Sequence, residues 1–151
     1  MSIKETTDIK FHWKCQHTWK ESAYNTIWCL IGCSIGDFGT IYFFQINNHL
    51  LNWSILAIMI LAIINGLITS LILETIILMK QMDLLNAFKT ALNMSFISMI
   101  SMEIVMNTVD VIFTGGAILN FYIIPVMLLA GFLTPLPYNY WRLKKYDLAC
   151  H

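Results

Sequence analysis

Ser95-Phe-Ile-Ser-Met-Ile-Ser-Met-Glu-Ile-Val-Met-Asn-Thr-Val-Asp110 is the stretch on which the reading of this chain turns. It lies in a run apolar enough to cross a bilayer, yet it carries Glu103, Asn107 and Asp110. At about 100° per residue, Ser95, Met99, Met102, Glu103, Met106 and Asp110 fall on one stripe of a helix, with Asn107 at its edge. A carboxylate at the bilayer centre costs roughly 3 kcal/mol or more on insertion scales. The stripe should therefore face protein and not lipid. It names no reaction, but it points to a polar site buried inside a membrane bundle.

The rest of the chain supplies the bundle. Of its 151 residues, 58% are hydrophobic and only 12% are charged, where a soluble domain carries about 25% charge. The class is all-α: a polytopic membrane protein with one domain. The formal net charge of +0 gives no electrostatic case for nucleic-acid binding. Cys15, Cys29, Cys33 and Cys150 are too few and too apolar in setting for a disulfide scaffold. Glu5, Asp8 and Glu21 lie among the early lysines with no apolar run before them. The expectation is a first hydrophobic helix that directs insertion, with no cleavable signal peptide.

Four spans are expected, at about Tyr24–Ile46, Trp53–Met79, Phe88–Phe113 and Ile118–Leu136. Each has the roughly 20 residues a bilayer requires. Residues 1–22 read as a cytoplasmic or interfacial segment, 23–141 as the transmembrane domain and 142–151 as a short cytoplasmic tail. Gly32 and Gly36 in span one form a small-xxx-small pair for close helix approach. In span two, Asn65 and Gly66 sit mid-membrane, and Glu74 sits near enough to the end to reach the interface. Span three, with its serines and asparagines, should be the innermost helix. Pro125 permits a kink in span four, which Pro135 and Pro137 end. Tyr138, Tyr140 and Trp141 read as an aromatic belt. The nine Lys and Arg residues all fall before span one, between spans two and three, or after span four. By the positive-inside pattern both termini are cytoplasmic, in the plasma membrane.

Spans one and three then run in the same direction. Asp37 and Glu103 both lie about 20 Å from the inner boundary at a rise of 1.5 Å per residue. Cys33 and Met99 match in depth one turn nearer the cytoplasm. If the two helices face each other, Cys33, Asp37, Met99, Glu103 and Met106 converge, with Cys29 a further turn along. Apart from Lys89, at the very start of span three, no Lys or Arg lies in a span to neutralise the acids. Three solutions stay open: protonated carboxyls bonded to each other or to Asn107, a bound cation, or pairing with a partner subunit. Thiol and thioether ligands suit Cu(I), while carboxylates suit protons or harder cations. The ordinary role of a helical Met is gap filling, and that of Asp110, near the outer end, is open.

The N-terminal His12, Cys15 and His17 have the spacing of soft metal ligands, with Cys150 and His151 as the other cytosolic donors; an interfacial helix explains the same residues. His49 belongs to an outer loop. With no phosphate loop, Ser-His-Asp set or HExxH motif, an enzyme acting alone is not expected, and no catalytic residue is assigned.

Three ordered landmarks carry a resemblance: Cys29-x-x-Gly32-Cys33-x-Ile35-Gly36-Asp37, Ser101-Met102-Glu103-Ile104-Val105-x-Asn107, and Pro137-x-Asn139 before a basic tail. From about Trp19 onward the chain resembles a prokaryotic family of small integral membrane proteins known by a domain-of-unknown-function label. The family typically has His just before the first Cys, where this chain has Trp28, and often Glu in place of Asp37. Its members look like neighbours or fusions of copper-handling proteins, which implies a copper link. The leading expectation is a metal-handling or accessory membrane protein, binding copper through Cys29, Cys33, Asp37, Met99, Glu103 and Met106, with Asn107 and Asp110 as further buried polar groups. The alternatives are a subunit of a larger membrane complex, such as a metal-dependent membrane enzyme, and a cation- or proton-coupled transporter. Partners are then the lipid bilayer, other membrane subunits or further copies of the chain.

Overall fold

The structure, a computed structural model, describes residues 13–47 and 52–145. Every regular element among them is helical: α1 (Gln16–Ile46), α2 (Ile55–Leu78), α3 (Leu84–Thr114), α4 (Ile124–Leu133) and α5 (Leu136–Lys145). The first three are each long and apolar enough to cross a membrane. At 1.5 Å per residue, the 31 residues of α1 and of α3 reach about 46 Å, beyond a ~30 Å hydrocarbon core.

Local chemistry sets the boundaries. The Ser54 hydroxyl accepts from Ala57 N–H at 3.3 Å and caps α2. Gly115, at φ 75°, takes the left-handed conformation that closes α3, donating its N–H to the Val111 carbonyl. The apolar face of α2 is left outside. Ile60, Ile64, Ile68, Ile72 and Ile76 recur every fourth residue and are about half exposed, as a lipid-facing stripe requires.

The fourth expected helix is present but starts later than Ile118. Residues 115–123 are not α-helical, the apolar run forms the ten-residue α4, and the more polar ten-residue α5 follows after Thr134 and Pro135. Pro125 lies in the first turn of α4, where a missing N–H costs nothing, so it starts a helix and does not kink one. Pro135 follows closely on the end of α4 at Leu133, where the sequence places the end of the span, and a separate helix begins at Leu136. Pro135 and Pro137 each disfavour the helical conformation in the preceding residue, yet Pro137 in turn occupies a first-turn position of α5.

α1 packs most extensively on α2, α3 on α2 and α4, and α5 folds back along the start of α1. That last contact is specific. Asn139 Nδ2 donates to Thr26 Oγ1 at 2.8 Å, and Ser22 Oγ donates to the Leu136 carbonyl at 3.0 Å. Tyr140 is fully buried, stacked on both Trp13 and Trp19, and so is not part of an exposed aromatic belt. Helix α1 runs unbroken from Gln16, so residues 16–22 continue into the first span without a joint.

Candidate functional site

The α1–α2 seam holds one wall of the site in place. A Cβ on Gly32 would come 2.5 Å from Ser70 Cα, and one on Gly36 would overlap the Asn65 carbonyl. The two backbones therefore touch, as the small-residue spacing requires. Across this seam Thr69 Oγ1 donates to the Gly32 carbonyl at 2.6 Å, Ser70 Oγ to the Cys29 carbonyl at 3.2 Å, and Asn65 Nδ2 to Thr40 Oγ1 at 2.8 Å.

Against that wall, α3 lays its polar stripe. Cys29, Cys33, Met99, Met102 and Met106 form one buried cluster with Met127 of α4. Both cysteines are free thiols, mutually within hydrogen-bonding reach, and Ser70 Oγ lies 3.5 Å from Cys29 Sγ. Met106 fits because residue 131 is glycine, where a Cβ would come 2.8 Å from its sulfur.

One turn further along lies an oxygen cluster. Glu103 and Asp37 are both fully buried, and Asp37 is near enough for its charge to act on the Glu103 carboxyl. Asn107 Nδ2 donates to Asp37 Oδ1 at 3.1 Å and to the main-chain carbonyl of Glu103, one turn back in α3, at 3.0 Å. The Glu103 carboxyl lies directly over Gly66, where a Cβ would overlap it. Cys33 stands beside the same carboxyl and joins the sulfur cluster to the oxygen cluster. Four atoms here lack a hydrogen-bond partner: Asp37 Oδ2, Glu103 Oε1 and Oε2, and Asn107 Oδ1. All four are acceptors. Each buried unsatisfied group costs roughly 1–3 kcal/mol, so whatever completes the cluster must bring donors or positive charge.

The ends of the bundle differ. Asp110 Oδ2 accepts from Ile118 N–H at 3.2 Å, and its Oδ1 from the Thr114 hydroxyl at 3.2 Å; this acid closes the turn after α3. At the opposite end, Glu74 does not stand in open interface. It faces Arg142, with Ser95 and Cys29 within reach of its carboxyl, on a half-open cavity of about 120 Å³ that Tyr24, Asn25 and Trp28 also line. Arg142 belongs to α5 and is only 7% exposed, although the sequence reads it as the start of a solvated tail.

The structure thus brings together all eight of the residues singled out along spans one and three, with Asp110 at the margin. It adds Met102, Met127, Ser70 and Gly66. Met102 is visible on the stripe, but Met127 carries no signal of its own in an apolar segment, and Gly66 matters only once Glu103 is known to lie on it. Of the donors near the two ends of the chain, His12, Cys150 and His151 lie outside the described residues, as does His49. Cys15 is disulfide-bonded, and His17 Nε2 lies 4.0 Å from Glu21. Among the described residues, no group of three or more His, Cys, Asp or Glu is arranged to hold a metal ion; the sulfur cluster has two thiols, and its other donors are thioethers.

A family model matches residues 18–147, which takes in every element of this site. The chain belongs to the family described as a domain of unknown function, DUF4396. No match to a curated protein or to a solved structure was found. The DUF4396 match covers α1 through α5 as one unit and carries no activity with it.

Proposed function

We propose that this protein is a multi-pass protein of the plasma membrane, with both termini cytoplasmic, that binds copper(I) in the sulfur cluster between α1, α3 and α4. One observation carries the reading: two free thiols and four thioethers meet in a single buried cluster. Thiolate and thioether donors select Cu(I) over the harder divalent ions. Cys29 and Cys33 supply the anionic ligands, and Met99, Met102, Met106 and Met127 supply neutral sulfur. A thiol must lose its proton to ligate a metal, and Glu103 beside Cys33 is the base in place to take it. Asp37 acts behind Glu103 and does not ligate the soft ion.

The test is competition for Cu(I) against a chromophoric chelator under reducing conditions, on protein purified in mild detergent. About one equivalent bound, abolished in Cys29→Ser and Cys33→Ser and weakened in Met102→Leu, is the expected result. Wild-type protein that takes no Cu(I) from the chelator would leave the sulfur cluster as packing. A second protein that co-purifies in fixed ratio and is released by Glu103→Gln would favour an assembly subunit.

A further inference from the structure

The sulfur cluster is walled in by close contacts. Between α1 and α2 the backbones touch at Gly32, where a Cβ would come 2.5 Å from Ser70 Cα. Against α4, a Cβ on Gly131 would come 2.7 Å from the Met106 side chain. Cys29, Cys33, Met99 and Met102 are each at most 2% exposed. An ion bound for these sulfurs therefore needs an opening along the bundle axis, and one end offers it. The half-open cavity of about 120 Å³ is lined from α1 by Asn25, from α2 by Glu74, from α3 by Met94 and Ser95, and from α5 by Arg142. Its lining is in register with the cluster. Asn25 precedes Cys29 by four residues in α1, and Ser95 precedes Met99 by four in α3. Helix α2 runs the other way, and there Glu74 stands four residues after Ser70, whose Oγ lies 3.5 Å from Cys29 Sγ. Four residues are one helical turn, about 6 Å. On three helices at once, the floor of the cavity is the roof of the sulfur cluster.

We propose that this cavity is the port through which a soft monovalent cation reaches Cys29 and then Cys33, with Glu74 and Met94 as the donors that receive it. That the cation is Cu(I) rests on the reading above; the opening to the thiols does not. The lining fits the task. Met94 offers a thioether of the kind the cluster uses, Glu74 a carboxyl group, and Asn25 and Ser95 neutral oxygens. Arg142, in the same wall, is the base that the Glu74 acid faces when no ion is there, so an arriving cation takes the place of the guanidinium beside Glu74. The space holds several waters. It accepts an ion that keeps part of its hydration shell but not a bulky chelate, so the ion enters without its carrier. Lys80, Lys144 and Lys145 lie at this end of the bundle, so under the proposed topology the port opens to the cytoplasm.

Two measurements test the port. In the first, metal-free protein in mild detergent is treated with 2-aminoethyl methanethiosulfonate, a small cationic thiol reagent, and the modified cysteines are followed by peptide mapping. In the wild type Cys29 should react at least tenfold faster than Cys33, which lies one turn deeper. Asn25→Trp and Ser95→Phe, which fill the cavity, should each slow Cys29 at least tenfold. In the second, transfer of Cu(I) from the chromophoric chelator is followed in time. The same two variants should load at least tenfold more slowly than wild type yet reach the same final occupancy, which also shows that they fold. Glu74→Gln should slow loading at least threefold. Cys33 reacting as fast as Cys29, or filled variants that react and load at the wild-type rate, would overturn the port. The comparison of the two thiols in the wild type needs no variant and stands even where a filled variant does not fold. Cu(I) uptake without the expected order of the thiols removes the port alone. The expected order without Cu(I) uptake removes the copper site and leaves the port.

Discussion

The α1–α2 seam and the α1–α3 seam use the same kinds of residue to opposite ends. Between α1 and α2, Thr40, Asn65, Thr69 and Ser70 each complete hydrogen bonds, mostly to backbone carbonyls exposed by the close glycine contacts. Between α1 and α3, Asp37, Glu103 and Asn107 are more deeply buried, yet leave four acceptors open. Satisfied polar groups hold helices together in an apolar medium. Unsatisfied ones lower stability unless something is bound to them. The difference marks one seam as fastening and the other as a working surface, and it can be broken by substitutions on either side.

The largest loss of stability is expected from Gly36→Ala. Its Cβ would overlap the backbone carbonyl of Asn65, and backbone cannot swing aside. Overpacking a close interface costs about 1–3 kcal/mol, and this position should reach the top of that range. Thermal unfolding in a fixed detergent reads it directly, and a midpoint equal to wild type would mean the helices are not in contact there. Gly66→Ala should cost less, about 1–2 kcal/mol on the same scale, because the obstacle is the end of the Glu103 side chain. Its distinguishing effect is chemical. Displacing Glu103 from beside Cys33 should weaken Cu(I) uptake in the chelator competition. Ser70→Ala comes next, at about 1 kcal/mol for a lost hydrogen bond, with Cys29 left in position. A larger loss would show that the Ser70 hydroxyl also orders the thiol.

How much of this was legible in the chain can be argued from single residues. The stripe from Ser95 to Asp110 has a 3.6-residue period and a membrane setting, so its burial follows from sequence. Asp37 and Glu103 could be paired because two parallel spans make depth a matter of counting residues. Gly32 and Gly36 announced a close contact, though not that α2 would be the partner. The end of the fourth helix was legible in Pro135, but its start was not, because hydropathy is blind to where a chain enters a helix: the apolar run from Ile118 begins as a loop, and α4 starts at Ile124. Arg142 was misread for a related reason. A basic residue at the end of an apolar run looks like a solvated anchor, and only the return of α5 along α1 places it beside Glu74. Met127 reaches the sulfur cluster through tertiary packing that no local pattern encodes.

The smallest effect on stability, and the most informative, is expected from Glu103→Gln. In the fastening seam, removing a partner leaves another group unsatisfied and the protein weaker. Here the wild type already leaves both Glu103 oxygens and Asp37 Oδ2 open. Glutamine has nearly the same shape and adds two N–H donors among those acceptors, so it can fill a bond that the acid leaves empty unless protonated. The midpoint should move by no more than about 1 kcal/mol equivalent in either direction, within the range of a single net hydrogen bond. Function at the site should nonetheless be lost. A residue that costs little to replace but much to lose in activity is held for what it does. If instead Glu103→Gln unfolds as readily as Gly36→Ala, then Glu103 is fastening too, and the contrast between the two seams does not hold.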